Sequence, residues 1–185
     1  AGVPLMGDKV YQLGDDVELP RNTFEECINY IVSECDAIKN TLRTNPFDVN
    51  FIERPTKGAA LALKARALLY AASPLYNGGN IEPSNPITGY TSFSADRWKK
   101  AEDAALEVID LSQFELVSDI KSIFITQGSK ERIFTRQGGP NTSVETNNGP
   151  VGYSVALNNG RTSPTQELVD AFGMANGLPI TDPAS

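Results

Sequence analysis

Aromatic rings and planar polar side chains recur together in two stretches of this chain. Tyr76, Asn77, Asn80 and Tyr90 fall in one; Arg136, Asn141, Tyr153, Asn158, Asn159 and Arg161 fall in the other. An aromatic face stacks on C–H groups, and planar polar side chains hydrogen-bond hydroxyls. Together they suit the holding of a sugar. Bond-making chemistry has less support. The 185-residue chain has no histidine, which removes Ser-His-Asp and Cys-His nucleophile systems and His-ligated zinc. Glu102, Asp103, Glu107 and Asp110 are closely spaced acids. A glycoside hydrolase needs two carboxylates about 5–10 Å apart across a cleft, whereas these four read as the solvated face of one helix. Asp170 is given no catalytic role. Cys27 and Cys35 lie eight positions apart, about 12 Å along a helix axis. That exceeds the roughly 7 Å a disulfide spans, so both read as small buried apolar side chains.

The net charge is −7. Nucleic-acid affinity rests on Lys and Arg neutralising phosphates, so this balance argues against a nucleic-acid partner and against a basic membrane-surface patch. No apolar run approaches the 18 or so residues of a membrane span, and no signal peptide is present. A charged fraction of 21% and a hydrophobic fraction of 40% are those of an ordinary globular chain.

The elements that must position the two polar stretches are mostly helical. Thr23 and Glu26 have the spacing of a capping box. After them Phe24, Cys27, Ile28, Ile31, Val32, Cys35, Ile38 and Leu42 step by threes and fours, which predicts a helix over about 24–42. The stretch "TKGAALALKARALLYAAS" (56–73) holds seven alanines. Thr56 can cap it and Pro74 stops it. Leu61, Ala65, Leu68, Leu69 and Ala72 form one apolar face, and Leu63, Ala67 and Tyr70 a second. Small residues let neighbouring helices approach, so this reads as a central helix packed on two sides. Residues 74–94 are a long turn-rich loop. A third helix is expected over about 95–111, with Trp98, Ala101, Ala105, Val108 and Ile109 as its core face. "FELV" (114–117) and "ERIFTRQ" (131–137) look like short strands, and "SIFIT" (122–126) is ambiguous. Residues 138–162 are again irregular. Pro164 and Gln166 mark a helix start near 164, and Gly173 fits its stop after Phe172.

These pieces, in this order, resemble a known family. "RPTKGAALALKARALLYAASPLYN" resembles the core helix of SusD-like (SusD/RagB) nutrient-binding lipoproteins. "RWKKAEDAALEVIDLSQFEL", the short strand "ERIFTRQ" and "SPTQELVDAFGMANGLPI" are similar to later family motifs. The likeness runs from residue 19 to 180. It implies a mainly α fold of layered helices resembling tetratricopeptide repeats, with long loops and a few short strands. Residues 22–112 would be the helical part of one partial domain over 1–185. Residues 113–185 would be loop-rich, with a helix near 164–172. The sequence itself has no clean 34-residue period.

The resemblance further implies non-catalytic capture of a nutrient, an oligosaccharide, at the bacterial outer-membrane surface. Handover would go to a SusC-type TonB-dependent transporter. Family members carry a lipidated cysteine and a large C-terminal portion that are not present here, so the chain reads as an internal piece. The ligand-contacting candidates are Tyr76, Asn77, Tyr153, Asn158 and Arg161. Tyr153 comes first, with a loop-anchoring ring as its alternative reading. Arg136 reads as a structural ion-pair residue. No cofactor or metal is implied. The rival readings are a helical scaffold that binds a protein and, behind it, a glycoside hydrolase.

Overall fold

The computed structural model describes residues 2–45, 47–48, 50, 53–79, 81–136, 141–149 and 162–184. Contacts cluster into two units, Ala1–Arg136 and Gln137–Ser185, whereas the sequence places its helical border at 112. Among the described residues, four helices belong to the first unit: α1 (Phe24–Ile38), α2 (Lys57–Ala72), α3 (Asp96–Ile109) and α4 (Ile120–Ile125). The second unit has α5 (Ser143–Asn148) and α6 (Gln166–Asp170). The fold is mainly α.

Local chemistry sets the helix starts. In α1 the Thr23 hydroxyl accepts from the Glu26 N–H at 3.2 Å, and a Glu26 carboxylate oxygen accepts from the Thr23 N–H at 2.7 Å. The expected capping box is complete. In α2 the Thr56 hydroxyl accepts from the Ala59 N–H, and the chain turns extended at Ser73, just before Pro74. Both helices end within a few residues of the expected positions.

Helix α2 packs against α1 on one side and α3 on the other. Ala60, Ala71 and Ala72 of α2 are buried, as are Ala101 and Ala104 of α3. Small side chains let two helix axes come close, and that is the use of the alanine-rich stretch. Phe24, Ile28, Ala71 and Tyr90 form the core cluster, with Val32, Leu68 and Tyr76 packed against it.

One buried position on α2 is charged. The Lys64 ammonium lies 3.0 Å from an Asp36 carboxylate oxygen on α1 and 2.6 Å from a Glu107 oxygen on α3. Lys39 at the end of α1 bonds the same two acids at 2.7 and 3.1 Å. A buried ammonium is costly unless paired. Here two cations and two anions close a ring that ties three helices together.

Several expectations are corrected. Trp98 is 43% exposed. The stripe of α3 that faces inward runs through Arg97, Ala101, Ala104 and Val108, one position off the expected one, because alanines make the close approach and the indole lies beside them. Leu69, expected on the buried face of α2, is exposed, as are Leu63 and Tyr70 of the second face. Among the described residues there are no strands, only isolated bridges at Arg43–Thr56 and Asn77–Tyr90. Segments 114–117 and 130–136 do touch: the Glu115 N–H donates to the Lys130 carbonyl, and the two side chains pair at 3.0 Å. The next donor, the Val117 N–H, goes to the Glu131 carboxylate instead of a backbone carbonyl, so no ladder forms. The ambiguous stretch at 122 lies largely in α4.

In the second unit Thr165 caps α6, its hydroxyl accepting from the Leu168 N–H. The helix therefore begins after Pro164, two residues later than expected. Gln166 donates to Asp170 one turn on, at 2.7 Å.

Candidate functional site

The loop between α2 and α3 is fastened by one amide. Asn77 is 3% exposed. Its Nδ2 donates to the carbonyls of Ala72 (3.3 Å) and Ser94 (2.9 Å). Its Oδ1 accepts from the Ser94 N–H (2.9 Å) and from Arg97 Nη1 (2.6 Å). An amide side chain offers two donors and two acceptor sites, and all four are used. Asn77 therefore ties the end of α2 to the start of α3. Expected from the sequence as a ligand contact, it is a structural fastener with no bonding capacity left. Gly78 follows at φ +86°, where an added Cβ would lie 2.5 Å from the Phe93 nitrogen. Only glycine fits that turn without strain.

Aromatic groups pack around the fastener. The rings of Tyr76 and Phe24 stack with centroids 4.8 Å apart. Tyr90 meets Phe24 edge-on at 5.3 Å, and its N–H donates to the Tyr76 carbonyl. The Arg97 guanidinium sits 3.5 Å over the Tyr90 ring. Arg97 Nη1 also donates to the Ser92 carbonyl at 2.7 Å. Burial raises the Tyr90 hydroxyl above its ordinary range, with Arg97 pulling the other way and Glu25 adding to the rise. Of the two described candidates, Tyr76 is thus half-buried in the core and Asn77 is saturated. Tyr153, Asn158 and Arg161, with Asn80 and Asn159, lie outside the described residues. Arg136 is exposed.

Two small hollows open around the Arg97–Tyr90 pair. One, about 130 Å³, lies among α1, α2 and α3, with Glu25, Asn29, Asp96, Arg97 and Lys100 around it and Ile28, Leu68 and Ala71 below. The other, about 140 Å³, shares Glu25, Tyr90 and Arg97 with the first and adds Thr23, Pro86, Gly89, Thr91 and Ser92. The sequence singles out none of Glu25, Asn29 and Arg97. Their periodicity is that of any solvated helix face, and only the fold brings them together.

A larger, apolar groove of about 730 Å³ runs between the end of α1, α2 and residues 131–135. Ile38, Leu42, Ala59, Leu63 and Phe134 line it, and Arg66, Glu131 and Arg132 are its charged members. Cys27 and Cys35 are buried free thiols; burial pushes the Cys35 thiol up, which keeps it unreactive. Among the described residues no three His, Cys, Asp or Glu side chains come together to hold a metal. No described helix is long and apolar enough to cross a membrane.

The architecture has solved counterparts. A SusD-like protein (BF3747) from Bacteroides fragilis NCTC 9343 is 29% identical over 96% of this chain, with a TM-score of 0.70. The fold of the chain is SusD-like. BT4246 is 27% identical over 64% of this chain, with a TM-score of 0.56, and its selenomethionine form is 26% identical at 0.51. The chain spans about a third of the length of BF3747 (32%) and about a fifth of BT4246 (22%). No protein-family model matches it, and none of the curated proteins compared with it matches.

Proposed function

We propose that this SusD-like chain takes part in the non-catalytic capture of a nutrient, an oligosaccharide, at the outer face of a bacterial outer membrane. Handover goes to a SusC-type TonB-dependent transporter, and a lipid anchor provides the membrane attachment. The observation that carries this reading is the likeness to BF3747 over nearly the whole chain. One further feature supports it: the acids Glu102 and Asp103 of α3 pair with Lys99 on an exposed helix face. Capture needs a shaped surface and no reacting group, since no bond is made or broken.

The sugar contacts belong to the loops at 74–94 and 137–163, with Tyr153, Asn158 and Arg161 as the polar and aromatic contacts and Tyr76 at the edge. A stacked aromatic ring is worth about 0.5–1.5 kcal/mol beyond its area burial. Tyr153→Ala should therefore weaken oligosaccharide binding by roughly three- to tenfold, read by isothermal titration, and leave the unfolding curve unchanged. Undiminished affinity would remove Tyr153 from the site. Undiminished affinity after deletion of the tip of 137–163 would remove the loop.

A further inference from the structure

The unpaired charges around the two hollows carry a more specific assignment. Glu25 and Arg97 line both hollows, yet they do not pair with each other. Arg97 is held in place: Asn77 and Ser92 take the two N–H groups of Nη1, and the Tyr90 ring lies beneath the guanidinium. The Tyr90 hydroxyl is a further hydrogen-bond partner of the guanidinium. Glu25, Asn29, Asp96 and Lys100 make no hydrogen bond or ion pair with a described residue. The rim thus presents carboxylate acceptors, cationic donors and an amide that does both, with two charges of each sign. The floor, Ile28, Leu68 and Ala71, is apolar.

A rim with no net charge favours a neutral ligand. A rim of mixed donors and acceptors favours hydroxyls, which both donate and accept. An apolar floor favours a C–H face. Hollows of about 130 and 140 Å³ fall below the roughly 300–1,000 Å³ of sites that enclose drug-sized ligands, so each has room for one ring and not for a chain.

We propose that this cleft is a subsite for a single neutral sugar unit, bound by Glu25, Asn29, Arg97 and Lys100. The assignment rests on the oligosaccharide reading above and is independent of residues 137–163. Arg97 supplies a fixed cationic donor. Glu25 accepts from ring hydroxyls, and Lys100 and Asn29 close the site from the exposed side.

The test uses the whole chain, uniformly labelled with ¹⁵N, titrated with a panel of neutral methyl glycosides and with neutral oligosaccharides. The expected result is saturable amide shifts at residues 25–29, 89–92 and 96–100. In the double variant Glu25→Gln, Lys100→Ala the same ligand should bind at least tenfold more weakly. Neither side chain bonds a described residue, and Glu25 adds only its charge to the first turn of α1, so the urea midpoint should fall slightly at most; a large fall would show them to be structural and overturn the assignment. Sugar shifts confined to other residues would overturn the subsite and leave the oligosaccharide reading standing. No shifts with any sugar would overturn both. Shifts at these residues with free amino acids but with no glycoside would overturn the ligand class, because a zwitterion also matches a rim of paired charges.

Discussion

The Lys64 ammonium on α2 lies 2.6 Å from the Glu107 carboxylate on α3, at a side-chain exposure of 11%. With Asp36 on α1 and Lys39 it forms a ring of charge that reaches all three main helices. Lys64→Met keeps the aliphatic stem but leaves two acids facing a single lysine. Hydrogen bonds to charged groups are worth about 1.5–3 kcal/mol. The acids are more than a third exposed (38% and 37%), so solvent screens part of this. The expected loss is roughly 1–2 kcal/mol, read from urea denaturation. A midpoint equal to the wild type would show that the ring contributes nothing.

The same ring sets a pH dependence. The Asp36 carboxyl is lowered first by the hydrogen bond from Lys39, with Lys64 adding. The Glu107 carboxyl is lowered first by the hydrogen bond from Lys64. A lowered carboxyl contributes stability that is fully present above its unfolded value, about 3.9 for Asp and 4.3 for Glu. That stability is lost as pH falls through the lower folded value. The hydrogen bond to Asp36 raises Lys39. For Lys64 burial is the largest influence and acts downward, but the bonds to Glu107 and Asp36 outweigh it, and the net direction is up. The lysine contributions are full below about 10.4 and are lost as pH rises through the higher folded values. Melting temperature should therefore plateau between about pH 5 and pH 10. The acid fall should be shallower in Asp36→Asn, Glu107→Gln. Identical acid limbs in the two proteins would contradict this.

Asn77→Ala removes all four bonds of the loop fastener and leaves the Ser94 groups and Arg97 Nη1 without their partner. Unsatisfied buried groups cost about 1–3 kcal/mol each, and relaxation recovers part of that, so a net loss of roughly 2–4 kcal/mol is expected. Hydrogen exchange should quicken across 74–94 while α1 and the middle of α2 stay protected. Uniform exchange across all three helices would mean that the loop is no separate unit.

The alanine crossing is tested by Ala104→Leu. Ala104 is buried where α3 meets α2, and adding methylenes to a packed core typically costs 1–3 kcal/mol. The melting temperature should fall by several degrees. No change would show a loosely packed crossing.

What was legible in the sequence was local. Thr23 and Glu26 lie three apart, so their capping box could be read directly, and the alanine stretch showed α2 and its tight packing. Lys64 was not legible. Its partners lie 28 and 43 residues away on two other helices, and a lysine among alanines reads as solvated. Trp98 misled because the apolar stripe on α3 fits two registers, and the narrower one, through Ala101 and Ala104, packs. Asn77 sat in a turn-rich stretch whose composition marks a loop but gives no sign that one amide is buried and saturated. The strand readings at 114–117 and 131–137 failed because pairing depends on where each backbone donor goes, and Val117 donates to a side chain.

Oligosaccharide capture without catalysis is tested most directly by isothermal titration of the chain against a panel of neutral and charged oligosaccharides, with the mixtures analysed for released sugar after a day. The expected result is saturable heat with at least one oligosaccharide and no released reducing sugar. Absence of binding across the panel, or release of sugar in step with protein concentration, would contradict it.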